Sequence, residues 1–187
     1  MRNRIILAAL TVVATGVANA QVLVNTDFES NSLGQLAGQS AGGSYVWDPF
    51  ADTIPVVTNT GPTIGKQSVT TAYSLAAGAG SAHSWVILGS PGYVIPAGKW
   101  LRASVAVYVD GQDANSSAGL SVWANDGANT HGILTLSSGG RAVIRNGTGT
   151  VAPTIYSGVP GIVDNAWNTL AVEVKQISAN TLESTYF

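Results

Sequence analysis

Hydrophobic and polar residues alternate strictly along Trp100–Asp110. Leu101, Ala103, Val105, Val107 and Val109 fall on one side, and Arg102, Ser104, Ala106, Tyr108 and Asp110 on the other. A period of two with no Gly or Pro inside it predicts a β-strand with one face in a dry core. The same period returns at Gly119–Asn125, where Leu120, Val122 and Ala124 oppose Ser121, Trp123 and Asn125. It returns again at Trp167–Ile177, where Leu170, Val172 and Val174 oppose Ala171, Glu173 and Lys175. Ala82–Leu88 carries large apolar residues in both sets, as a strand covered on both faces would. His131–Leu136 and Arg141–Arg145 flank Ser137-Ser138-Gly139-Gly140 and read as a hairpin, as do Trp167–Ile177 and Thr181–Phe187. Pro153 demotes Val151–Tyr156 to an edge strand or a loop.

Shorter strands are expected at Val22–Asn25, Tyr45–Trp47, Ile54–Thr58 and Ser68–Tyr73, with Thr60-Gly61-Pro62 as a turn between the last two. Thr26–Ser44 reads as a polar, turn-rich run. Leu33–Ala41 holds at most one helical turn, because Gly34, Gly38 and Gly42 lie in or beside it. About eleven short strands separated by frequent turns predict an all-β, antiparallel two-sheet jelly-roll sandwich.

The first twenty residues follow a different logic. Arg2 and Arg4 precede the mostly apolar run Ile5–Val13, and Ala18-Asn19-Ala20 offers small residues around a variable one. This is the pattern of a cleaved export leader. The apolar run falls short of the roughly 20 residues that span a bilayer. The expected organisation is a signal peptide at 1–20 and one sandwich domain at 21–187, without membrane insertion once the leader is gone. The expected location is the periplasm, the cell surface or the medium. The chain stops at Tyr186-Phe187 within a predicted strand, so it is expected to be truncated at its C-terminal end.

Composition narrows the function classes. Only 10% of the 187 residues are charged, the net charge is −2, and the leader takes two arginines with it. No basic stripe is present, so nucleic acid is not an expected partner. There is no cysteine, which excludes thiol catalysis and thiolate metal sites and leaves burial and sheet pairing to hold an exported domain together.

Asp27-Phe28-Glu29, Gly34-Gln35-Leu36, Gly38-Gln39 and Trp47 stand within NTDFESNSLGQLAGQSAGGSYVW at Asn25–Trp47. This stretch resembles the opening of concanavalin-A-like, LamG-type jelly-roll domains of exported bacterial proteins. Trp167-Asn168-Thr169-Leu170-Ala171-Val172-Glu173-Val174 is similar to the late W…L.V.V strand of that family. Many such domains precede a PEP-CTERM-type sorting tail, which is not visible here. The resemblance implies a binding or surface role toward sugars or proteins. It also implies a structural calcium, for which Asp27 and Glu29 are the candidate ligands.

Catalytic motifs do not survive inspection of their context. Gly38-Gln39-Ser40-Ala41-Gly42 matches G-x-S-x-G, but that motif needs a strand before it and a helix after it. A polar loop precedes it here and Tyr45-Val46-Trp47 follows. Glycoside hydrolysis needs two carboxyl groups roughly 5–9 Å apart. The E-x-D-x-x-E string that concanavalin-A-like hydrolases carry is missing, and Glu29, Glu173 and Glu183 lack partners at that spacing. His83 and His131 are the only histidines and lie far apart.

The remaining candidates are the non-core residues of the two central strands. Arg102, Tyr108 and Asp110 share one face, as do Ser121, Trp123 and Asn125. A hairpin between those strands would bring both sets together on the concave side. Rings among polar groups suit sugars, whose CH faces stack while their hydroxyls hydrogen-bond. Trp47, Trp85, Trp100 and Trp167 are expected in the core or packed at its edge. The expected function is therefore non-catalytic carbohydrate or surface-polymer binding. Alternatives are a structural or adhesive protein with protein partners, and a glycan-active hydrolase or lyase. An open groove favours the first, a flat or filled face the second, and facing carboxylates the third.

Overall fold

The computed structural model describes residues 3–16, 19–50, 55–73, 83–86, 88, 93–109, 118–123, 129–137, 140–148, 154–178 and 181–187. Among the described residues the fold is all-β, with antiparallel sheets and no helix. The chain opens with a long strand, β1 (Asn3–Gly16), and its neighbour β2 (Asn19–Thr26). Five very short strands follow: β3 (Gly34–Gln35), β4 (Ser40–Gly42), β5 (Tyr45–Val46), β6 (Asp48–Phe50) and β7 (Val56–Thr58). Then come β8 (Ser68–Tyr73), β9 (His83–Trp85), β10 (Trp100–Val109) and β11 (Ala118–Trp123). The described strands end with β12 (Asn129–Ser137), β13 (Arg141–Thr148), β14 (Thr154–Tyr156), β15 (Ala166–Ser178) and β16 (Thr181–Tyr186). The surplus over the expected number comes from brief pairings in the turn-rich run and from β1.

The larger sheet has eight strands in the order β16-β15-β10-β1-β8-β7-β3, with β2 also paired to β1. The smaller sheet is β11-β12-β13-β14, and β4–β5 and β6–β9 form two-stranded pairs. Burial along β10 alternates without a break, from half-buried Trp100 to buried Val109. On β15 the inward residues Leu170, Val172 and Val174 stand opposite Val105, Ala103 and Leu101. All six belong to one buried apolar cluster, which also takes Leu136 and Ala142 from the smaller sheet. Two sheets thus close on a shared core, as the alternation in β10 and β15 requires.

Both predicted hairpins form. Ser137 pairs with Arg141 and Leu136 with Ala142, and β16 runs back along β15 until Phe187 and Ala171 exchange backbone hydrogen bonds of 3.0 Å each way. The segment with Pro153 supplies β14, an edge strand whose three residues are all exposed. Two expectations change. Strands β10 and β11 are not a hairpin: β10 lies between β1 and β15 in one sheet, and β11 is the edge of the other. The polar run after β2 is packed rather than merely turning, with Phe28, Leu36 and Ala41 buried in the core. The stretch read as a leader is paired along β10, β8 and β2 as β1.

Val172 is fully buried and sits opposite Ala103. Val172→Ala should lower unfolding free energy by about 2 kcal/mol, combining lost transfer free energy with the cavity left behind. Thr169→Ala, on the exposed side of the same strand, should stay within about 0.5 kcal/mol. Urea midpoints for the two variants check the assignment of inward and outward rows.

Candidate functional site

Two assemblies collect the residues singled out above. The first is the loop after β2. Thr26 Oγ1 accepts the Phe28 amide at 3.2 Å, and Asp27 Oδ1 accepts the Glu29 amide at 3.0 Å. These bonds belong to a sharp turn in which Phe28 takes a positive φ of 65°, unusual for a residue with a Cβ. What holds it there is burial: Phe28 is fully buried, with its ring centroid 5.9 Å from that of Trp47. Glu29 Oε1 accepts the amides of Lys66 at 2.7 Å and Gln67 at 3.0 Å, which ties the turn to the segment entering β8. With its amide nitrogen facing the turn, Gln67 donates back to the carbonyls of Asn31 (3.1 Å) and Phe28 (3.2 Å).

Gln39 is the clasp of the next turn. Its Oε1 accepts the Ser32 amide at 2.6 Å, and its Nε2 donates to the carbonyls of Ser32 (2.8 Å) and Gln35 (2.6 Å). Its backbone carbonyl accepts the Trp47 amide, and the Trp47 carbonyl accepts the Gly38 amide. Asn31 Nδ2 donates to the Ser40 carbonyl at 2.9 Å. Gly42 has φ +98°, and a Cβ there would lie 2.6 Å from the Asn25 carbonyl oxygen. Only glycine lets β4 come this close to β2.

The residues that carry the family resemblance are therefore tied to one another, and their polar groups serve backbone. Ser40 of the G-x-S-x-G match accepts the Gly42 amide through its Oγ at 3.1 Å, inside this loop. Asp27 is exposed, and Glu29 faces amides rather than further carboxylates. Among the described residues no three of His, Cys, Asp and Glu gather as metal ligands would.

The second assembly is the outward face of β10 and β15. Register places Trp100 opposite Lys175, Arg102 opposite Glu173, Ser104 opposite Ala171, Ala106 opposite Thr169, and Tyr108 opposite Trp167. Tyr108 and Trp167 meet edge to face, with centroids 5.6 Å apart at 70°. The Arg102 guanidinium carbon lies 4.7 Å from the Phe187 ring centroid, and Nη1 lies 3.9 Å from Glu173 Oε2. At 41% exposure for Arg102 and 24% for Glu173 this ion pair is screened and worth little as stability. Bulk is unequal along the face: rings at both ends enclose a middle of half-buried Ser104 and Ala106 and exposed Thr169, while Ala171, paired with Phe187, is buried. From Trp100 to Tyr108 the row runs roughly 27 Å at strand rise.

Of the expected binding residues, Arg102 and Tyr108 stand on this face. Ser121 and Trp123 lie on β11 in the other sheet, where the register shifts between Val122 and Trp123. Asp110 and Asn125 lie outside the described residues. Trp100 and Trp167, expected in the core or packed at its edge, are half-buried members of the outward rows. The signal for Trp100 was present, since it shares the parity of Arg102 and Tyr108.

Comparison of the chain with protein-family models, curated proteins and solved structures finds no match in any of the three.

Glu29 tests the structural role of the loop. Glu29→Ala should cost about 1–3 kcal/mol, because two backbone amides lose their acceptor. Glu29→Gln keeps an acceptor oxygen and should recover most of that loss. Thermal melts of both variants, with and without added calcium, check this; a calcium-dependent melt lost equally in both variants contradicts it.

Proposed function

We propose that the chain is an exported, non-catalytic jelly-roll domain that binds a carbohydrate or other surface polymer along the outward face of β10 and β15. One observation carries the reading: aromatic rings at both ends of a long track of outward residues, with Ser104, Ala106 and Thr169 in its middle and the Arg102–Glu173 pair along it. An extended polymer lying along the strands would stack on Trp100 and on the Tyr108–Trp167 pair. Arg102, Ser104, Thr169 and Glu173 offer donors and acceptors to its polar substituents. Two antiparallel sheets on a common core support a sandwich, and jelly-roll connectivity is the arrangement proposed for it.

A second reading, a structural or adhesive protein with protein partners, draws on the same face. It is one face of a sheet with rings on it, and such faces also serve protein contacts. The hydrolase reading is weaker. Glu173 and Glu183 are diagonal neighbours across β15 and β16, but Arg102 stands beside the first and Lys175 opposite the second.

A glycan and polysaccharide array probed with the leader-free protein tests the proposal. Binding should fall at least about tenfold in Trp100→Ala and Trp167→Ala, more than 1.4 kcal/mol of affinity. The melting temperature should change little in Trp100→Ala, while Trp167→Ala also loses a ring contact worth about 1 kcal/mol. No glycan bound by the parent, or equal binding by both variants, removes the polymer reading.

A further inference from the structure

The export signal and the larger sheet make competing demands on the same residues. Strand β1 is the neighbour of β10 on the side away from β15, in nine register pairs from Ile6–Tyr108 to Thr15–Trp100. Cleavage after Ala20, which the proposed export implies, removes all of β1 and the first two residues of β2. The edge of β10 from Trp100 to Tyr108 then loses its hydrogen-bonding partner. Leu101, Ala103, Val105 and Val107, at most 6% exposed, stand along that edge. A long, flat strand with an apolar inner row and unpaired N–H and C=O groups is a template for another strand.

Among the described strands, the other two neighbours of β1 do not close this gap in their present arrangement. Both β2 and β8 are antiparallel to β1, as is β10, so both run parallel to β10. Direct pairing would need the parallel sense and a lateral move of one strand spacing, about 4.8 Å. Strand β2 is held where it is by buried Val24 and Thr26 and by the close approach of Gly42 to Asn25. Strand β8 is held by β7, with Val57 opposite Val69 and Thr58 opposite Ser68, and Val57, Ser68 and Val69 buried.

We propose that in the leader-free protein the Trp100–Tyr108 edge of β10 is a strand-accepting seat, filled by an extended strand of a partner polypeptide running antiparallel to β10. This rests on the export reading but not on polymer binding by the outward face. The chemistry of the occupant follows from what the seat lacks. A row of backbone donors and acceptors at strand spacing is matched only by another polypeptide backbone. Opposite Leu101, Ala103, Val105 and Val107 the register now sets Ala14, Val12, Leu10 and Leu7, so uncharged aliphatic residues are required at every second position. Opposite Arg102, Ser104 and Ala106 stand Val13, Thr11 and Ala9, where the demand is for small or β-branched residues without charge.

The test starts from the full chain with a protease site inserted between Ala20 and Gln21, purified with its leader in place and then cut. A fluorescent peptide of residues 3–16 is titrated into the cut protein, alongside the same peptide carrying Leu10→Pro and Val12→Pro. Saturable uptake of the first, at least about tenfold weaker uptake of the second, and slowed hydrogen exchange over 100–109 on binding are expected. If the cut protein aggregates, peptide present during cleavage should keep it monomeric; aggregation indifferent to peptide overturns the seat. Protection of β10 with no peptide uptake also overturns it, whether the cut chain closes on itself or pairs with a second copy in a dimer seen by light scattering. The N-terminus of the exported protein separates the two readings. Met1 still in place overturns export and the seat together, whereas a cleaved chain with a closed β10 edge overturns the seat alone.

Discussion

The inward row of β10 zipped against that of β15 is the constraint on which the remaining structure depends. Five inward residues on β10 and three on β15 form an apolar sheet face that must leave water, and the four-stranded sheet covers it. At about 25 cal/mol per Å² of buried apolar surface, this row is a large favourable term for a chain with no cysteine to cross-link it. Because the side-chain period is two, burying one row commits the other to the outside. The outward face of Trp100, Arg102, Tyr108 and Trp167 is therefore a consequence of the core, positioned on rigid strands without any loop to hold it.

The loop after β2 is held by other means. There, hydrogen bonds from Glu29, Gln39 and Asn31 to backbone groups replace a regular ladder, and Phe28 and Trp47 supply the apolar anchor. A backbone that leaves regular structure must still satisfy its N–H and C=O groups when buried. Side-chain amides and carboxylates at the right spacing do this for a chain too irregular to do it for itself. This accounts for the acidic residue and the glutamine in this loop. Removing the Gln39 amide would strand three backbone groups at once.

Where strands are long and half-buried, residue parity stated the outcome in advance. The inward and outward rows of β10, the inward row of β15, the two hairpins and the edge strand after Pro153 follow from period and turn chemistry, while Ala171, expected outward, is buried. Pairing between distant strands did not follow, because a face of alternating valines fits many neighbours equally well. The expectation that β10 and β11 would form a hairpin assumed that strands close in sequence pair, and the partners of β10 are β1 and β15 instead. Phe28 and Leu36 were invisible for another reason: isolated apolar residues in a polar run have no period, and their burial depends on long-range bonds such as Glu29 to Lys66 and Gln67. For the site, Arg102 and Tyr108 were readable from parity alone. Trp167 was not, since its contact with Tyr108 requires the register of β10 against β15.

The double reading of Ile5–Val13 has the same physical origin. An export leader needs an apolar stretch without charges, and a central strand needs apolar and β-branched residues without Gly or Pro. Leucine, valine, alanine and threonine meet both requirements. What separates the two roles is whether the segment stays, and the sheet answers by the edge it exposes. A face and an edge recognise different things: the outward face of β10 presents side chains in a fixed pattern, while its edge presents backbone and is nearly blind to sequence beyond the alternation of size. With the leader gone, β10 would offer rings and polar groups on its face and an open ladder along its side, the two surfaces proposed above, within a single strand width of about 5 Å. Occupying the edge would stiffen the track beside it, since a strand paired on both sides holds its outward row in one geometry.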